Sequence, residues 1–128
     1  MAWDFETEPD FQRKLDWMDE FVRAEVEPLD LVFRRPADPF DPARKGPSAA
    51  MVPLKRIVRE QGLWACHLGP ELGGAGYGQL KLGLMNEILG TSIYAPPAFG
   101  CQAPDSGNSE ILALAGVATA AWARHPAA

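Results

Sequence analysis

Across the first thirty residues the apolar positions Phe11, Leu15, Met18, Val22 and Val26 follow one another at steps of four, three, four and four. That spacing puts all five side chains on one face of an α-helix and predicts a helix over residues 7–27. Thr7 is placed to cap it, Pro9 falls in the first turn where no amide partner is lost, and Asp10 suits the positive helix start. Pro28 is expected to end it. Trp17 and Phe21 widen the stripe, and a packed core accounts for it better than an aromatic binding site. A second stripe, Met51, Leu54 and Val58 with Ile57 beside it, predicts a helix over residues 49–61. Here Ser48 is the expected cap, Pro53 falls near the first turn, and Gly62 is the glycine just past the end. In residues 79–90 the pattern changes. Leu80, Leu82, Leu84, Met85, Ile88 and Leu89 lie on nearly all sides of one helix, which predicts burial at the centre of a bundle. Gly83 would then mark the close approach of a neighbouring helix. A fourth helix is expected from Asn108 or Ser109, carrying Ile111, Leu112, Leu114 and Ala115.

Between these segments the chain reads as loop. Residues 34–47 hold four prolines and little apolar material, and residues 95–108 hold three prolines and two glycines. Arg34 and Arg35 are read as solvated loop residues. No strand alternation and no internal repeat is visible. The expected fold class is all-α, a small helical bundle of about four main helices joined by short turns.

Composition narrows the function classes. The 128 residues are enough for one ordinary domain, and 47% apolar content excludes wholesale disorder. A net charge of −5 argues against a nucleic-acid surface. The N-terminus, MAWDFETEPD, has neither the basic start nor the apolar core of a signal peptide, and no apolar run approaches the roughly 20 residues of a membrane helix. These features predict a cytoplasmic chain with no membrane span. The two cysteines, Cys66 and Cys101, lack CxxC spacing. One disulfide is arithmetically possible, and two reduced thiols are expected. Cys66, His67 and Cys101 could supply at most three metal ligands at no recognised spacing, so no metal site is expected. His67, beside Trp64 and Leu68, is expected as a hydrogen-bonded core or rim residue. Ser106 near Asp105 has no matched histidine. Glu87, the acid on the apolar helix, is expected to pair with Lys55 or Arg59 or to face out at one edge.

The stretch PELGGAGYG raises the question of a phosphate cradle. A Walker-type loop needs a lysine directly after its second glycine, where Ala75 stands. A dinucleotide loop needs a third glycine where Gln79 stands, and a strand before it. Gly73, Gly74 and Gly76 are therefore read as a structural turn, supplying backbone angles other residues avoid and feeding the helix that follows.

With these residues in view, the stretch GLWACHLGPELGGAGYGQLKLGLMNEIL (residues 62–89) resembles the N-terminal helical domain of the acyl-CoA dehydrogenase family, in the manner of its long-chain and branched-chain members. The likeness rests on Gly62-Leu63, Pro70-Glu71, Gly73-Gly74-x-Gly76 and a helix carrying Glu87. GCQAPDSGNSEILALAG (100–116) is similar to the next helices of that domain, and DFQRKLDWMDEFVRAEVEPLDL (10–31) to its first. The likeness covers nearly residues 3–116, so the expected domain is 1–116, and the Ala-rich tail 117–128 departs from it. The resemblance implies FAD-dependent dehydrogenation of an acyl-CoA thioester between Cα and Cβ. In the family FAD and the catalytic glutamate belong mainly to a middle β-barrel and a C-terminal helical domain. It therefore assigns no catalytic and no FAD-binding residue here, and Glu87 does not match the base. It does imply an acyl-chain wall at Phe99, Gly100 and Ala103. The implied partners are the acyl-CoA substrate and the barrel and C-terminal domains, or self-association in their place. A stand-alone helical interaction or acyl-binding module without catalysis is the other reading.

Overall fold

A computed structural model describes residues 6–33, 45–102 and 105–114. Arg34, Arg35, Ala103, Ala115 and the tail 117–128 lie outside the described residues. The elements are α1 (Pro9–Phe21), a wide π turn (Val22–Val26), α2 (Glu27–Val32), α3 (Lys45–Glu60), a 3-10 turn (Pro70–Leu72), α4 (Gly78–Leu89), α5 (Ala95–Phe99) and α6 (Asp105–Leu114). The fold is all-α, with no strand among the described residues.

The first stripe does form one continuous helical face. Phe11, Leu15, Met18, Val22 and Val26 are all buried. The chain does not stop at Pro28, however. The Val22–Val26 turn is wound with the wider π spacing, and the amide of Glu27 bonds back to the carbonyl of Val22. Pro28 thus falls in the first turn of a new segment, where its missing N–H costs nothing. At the other end Glu8 rather than Thr7 occupies the capping position, and no side chain caps the helix. Thr7 donates instead to Gln12.

The second helix starts earlier than the sequence suggested, at Lys45, so Ser48 lies inside it and Pro53 sits in its middle. Pro53 is tolerated on the exposed side while Met51, Leu54 and Val58 are buried. Gly62 closes this helix at φ +69°. Its amide bonds to Arg59 O at 2.9 Å, and the Leu63 amide reaches Val58 O at 3.1 Å. This paired arrangement satisfies the free carbonyls of the last turn, and Leu63 meets Val58 in the core.

Several expectations fail at α4, α5 and α6. Residues 95–99, read as broken turns, form the short helix α5. Its prolines occupy the first turn, where they are allowed, and Phe99 at its end is fully buried. α6 begins at Asp105, so Ser109 is interior to it rather than a cap. And α4 is not central. It buries Met85 and Leu89, leaves Leu80 81% exposed, and presents Glu87 to solvent. A Cβ built on Gly83 would meet nothing within 4 Å, so no neighbour among the described residues approaches there. α4 rests on α1 along one side only. The rings of Phe11 and Tyr77 lie 5.9 Å apart, and Lys81 Nζ donates to Glu8 Oε2 at 2.8 Å.

Candidate functional site

The polar and sulfur chemistry of the chain converges where the segment after α3 crosses the end of α5. Ala65 is a non-glycine residue at φ +53°, a conformation that side chains avoid. It is held there because its amide donates to Phe99 O at 2.8 Å. Opposite it, Gly100 adopts φ +69°, and a Cβ at that position would lie 2.7 Å from the Trp64 ring. The Arg59 guanidinium also lies over Trp64, 3.9 Å from the ring centroid, with Lys55 Nζ at 5.7 Å. The two left-handed residues each precede a cysteine. They bring Cys66 Sγ and Cys101 Sγ to 3.3 Å, as free thiols.

His67 lies at the same junction. Its Nε2 is 3.2 Å from Ser109 Oγ, and that hydroxyl donates to Ser106 O at 2.7 Å. This ties α6 to the crossing and bears out the expectation of a hydrogen-bonded rim residue. The thiols are electrically unequal. A hydrogen bond from Cys66 holds Cys101 below the ordinary thiol value; burial opposes this, and His67 adds to it. Donating that bond, together with burial and the charge on Cys101, pushes Cys66 up. The Nδ1 of His67 is buried and has no hydrogen-bond partner among the described residues.

The glycine turn lies next along the chain. Gly73 stands at φ +83° and Gly76 at φ +69°. Gly74 has no such angle; its reason is space, since a Cβ there would fall 2.0 Å from Leu68 O. The amides of Gly73, Gly74 and Gly76 bond to Pro70 O, Gly69 O and Leu68 O at 3.1, 2.9 and 3.3 Å. A phosphate cradle needs such amides free and pointing outward. Here they are consumed within the turn, so these residues do not fit the pyrophosphate of FAD.

Of the sequence-predicted wall, Phe99 is packed edge-on against Phe21 at 6.1 Å, and Gly100 abuts Trp64. Ala103 lies outside the described residues. Glu87 is exposed, and Lys55 and Arg59, its suggested partners, face Trp64 instead. Among the described residues no group of three or more acids, histidines and cysteines could hold a metal ion, and no helix is long and apolar enough to cross a membrane. Cys66 and Cys101 are reduced thiols, as expected, but that their sulfurs meet is not legible in the sequence, because thirty-five positions separate the two residues. The only signal was a pair of turn-forming contexts, and neither says which turns meet.

Comparison with known proteins adds a lineage. Acyl-CoA dehydrogenase family member 10 of Mus musculus is 32% identical over 109 residues, covering 81% of this chain and 10% of the relative. The probable acyl-CoA dehydrogenase FadE2 of Mycobacterium tuberculosis is 36% identical over 110 residues, covering 84% of this chain and 25% of the relative. The chain is a relative of the acyl-CoA dehydrogenases. Acyl-CoA dehydrogenase family member 11 of Pongo abelii adds 43% identity over 63 residues, 49% of this chain and 8% of that protein. The chain thus spans a quarter or less of the length of these acyl-CoA dehydrogenase relatives. No family model matches it, and no solved structure does.

Proposed function

We propose that this chain acts as the N-terminal helical domain of an FAD-dependent acyl-CoA dehydrogenase. In this reading it supplies part of the acyl-chain wall and a docking surface for barrel and C-terminal helical domains. The observation that carries the proposal is the alignment over 81–84% of the chain with proteins named acyl-CoA dehydrogenases. Physical support comes from the apolar side chains left in water. Leu80 on α4 is 81% exposed and Ile111 on α6 is 65% exposed, in a pattern that a self-sufficient bundle would bury. The wall is assigned to Phe99, Gly100 and Ala103. Phe99 backs it from the core, and the small residue at 100 makes room for the Trp64 ring, which becomes the larger surface at that position.

FAD chemistry, the transfer of a hydride from Cβ, would be supplied by the flavin held in the other domains. The glycine turn takes no part in holding it. Purified alone, the 128-residue chain is expected to be colourless, to show no acceptor reduction with acyl-CoA, and to bind a hydrophobic dye. A yellow preparation that turns over an acyl-CoA would overturn the division of labour. A colourless, dye-silent monomer would favour a self-contained helical module.

A further inference from the structure

The crossing of the segment after α3 with the end of α5 carries chemistry that acyl-chain binding does not use. We propose that Cys66 and Cys101 form an oxidation site, a dithiol that a hydroperoxide converts to an intramolecular disulfide. The proposal is independent of the dehydrogenase reading.

Three observations carry it. The sulfurs are 3.3 Å apart, so closing a bond of about 2.05 Å needs an approach of roughly 1.3 Å, within what side-chain rotation supplies. The approach is imposed by the backbone. Ala65 and Gly100 both hold left-handed angles, the Ala65 amide is bonded to Phe99 O, and the Cys101 amide to Pro96 O at 2.9 Å. An alanine kept at φ +53° is strain that must be offset elsewhere, and its direct consequence here is the direction of the next residue, Cys66. Lastly, the two thiols divide the roles a peroxide reaction needs. Cys101 is half-buried, reachable and favoured as thiolate by Cys66 and His67, whereas Cys66 is only 2% exposed. Cys101 is therefore the attacking sulfur and Cys66 the resolving one.

The steps balance. The Cys101 thiolate attacks the distal peroxide oxygen; an S–O bond forms, the O–O bond breaks, and the departing alkoxide takes up the thiol's proton and leaves as alcohol. Cys101 is now a sulfenic acid, oxidised by two electrons, and the peroxide is reduced by two. The Cys66 sulfur then attacks Cys101, the S–S bond forms, the S–O bond breaks, and the oxygen leaves as water with the Cys66 proton. Two thiols and one hydroperoxide give one disulfide, one alcohol and one water. With hydrogen peroxide the alcohol is a second water.

The disulfide would staple the segment after α3 to the end of α5 and close a long loop that contains the glycine turn and all of α4. The test is to treat the 128-residue chain with hydrogen peroxide, digest it without reductant, and map the peptides by mass. A peptide pair joined through Cys66 and Cys101, lighter by two hydrogens and separated by dithiothreitol, is expected. The denaturant midpoint of the oxidised chain should rise and return on reduction. Cys66→Ser should leave Cys101 to proceed to the sulfinic acid, and Cys101→Ser should slow loss of the remaining thiol by about tenfold or more. Sulfinic Cys101 beside a free Cys66 in the unsubstituted chain, or disulfides only between chains, would overturn the proposal. The peptide map of the unsubstituted chain decides this even if a serine variant fails to fold.

Discussion

α3 runs for 16 residues and α4 for 12, with about half of each apolar, yet they bury themselves in opposite ways. α3 carries its buried residues on one stripe, with Met51, Leu54 and Val58 each no more than 7% exposed, and leaves Val52 off that stripe and in water. Its charged residues Arg56 and Glu60 face water. α4 spreads leucines around its whole circumference and buries only Met85 and Leu89. Segregation tells where a helix's inside is. Uniform apolarity says only that the helix has more surface to cover than one neighbour can supply. Here α1 covers one side, and nothing within the described residues covers Leu80.

The sharpest way to break this comparison is to remove one leucine from each helix. Leu54→Ala deletes a buried side chain with many neighbours, and should cost about 2–5 kcal/mol in denaturant unfolding. Leu80→Ala removes one that touches little, and should change stability by about 0.5 kcal/mol or less. Equal losses would mean that Leu80 is covered in solution, by a second copy of the chain or by closure of the bundle.

The same contrast explains how much of the molecule was legible from its residues. Wherever a stripe had a period, as at Phe11–Val26 and Met51–Val58, the buried face could be named in advance. The ends could not, because they depend on backbone details that composition hides. A π turn at Val22–Val26 let the helix run through Pro28, and two prolines at the start of α5 opened a helix where prolines suggested breaks. The glycine turn was readable as a turn, but the separate reasons at Gly73 and Gly74, one angular and one steric, needed coordinates. The thiol pair needed them entirely, since it depends on which distant turns cross.

Glycine substitutions sharpen the comparison at a smaller scale. Gly73→Val forces a branched residue to φ +83° and should destabilise by about 1–3 kcal/mol. Gly83→Ala, in the exposed stretch of α4, meets nothing within 4 Å and replaces the poorest ordinary helix former by the best. It should stabilise the chain by about 1 kcal/mol. The opposite signs, read from denaturant midpoints, would separate a glycine the turn requires from one the helix merely carries. A loss at Gly83 would instead reveal a close neighbour packed on α4.

The smallest effect is expected where α4 meets α1 at the surface. Lys81 Nζ pairs with Glu8 Oε2 at 2.8 Å, and the same ammonium lies 5.1 Å from the centroid of the Phe11 ring. Glu8 is 74% exposed, so water and salt screen its half of the contact. A double-mutant cycle with Glu8→Gln and Lys81→Met should give a coupling of about 0.2–1 kcal/mol that fades as salt is raised. The attraction of Lys81 to Phe11 belongs to a ring that is 3% exposed and is shielded on that side. Lys81→Met should therefore cost slightly more than Glu8→Gln, and the difference should survive high salt. If both losses vanish together with salt, the ion pair alone joins the two helices there. If neither responds, α4 is held to α1 by Tyr77 and Met85, and its polar edge is only solvated surface.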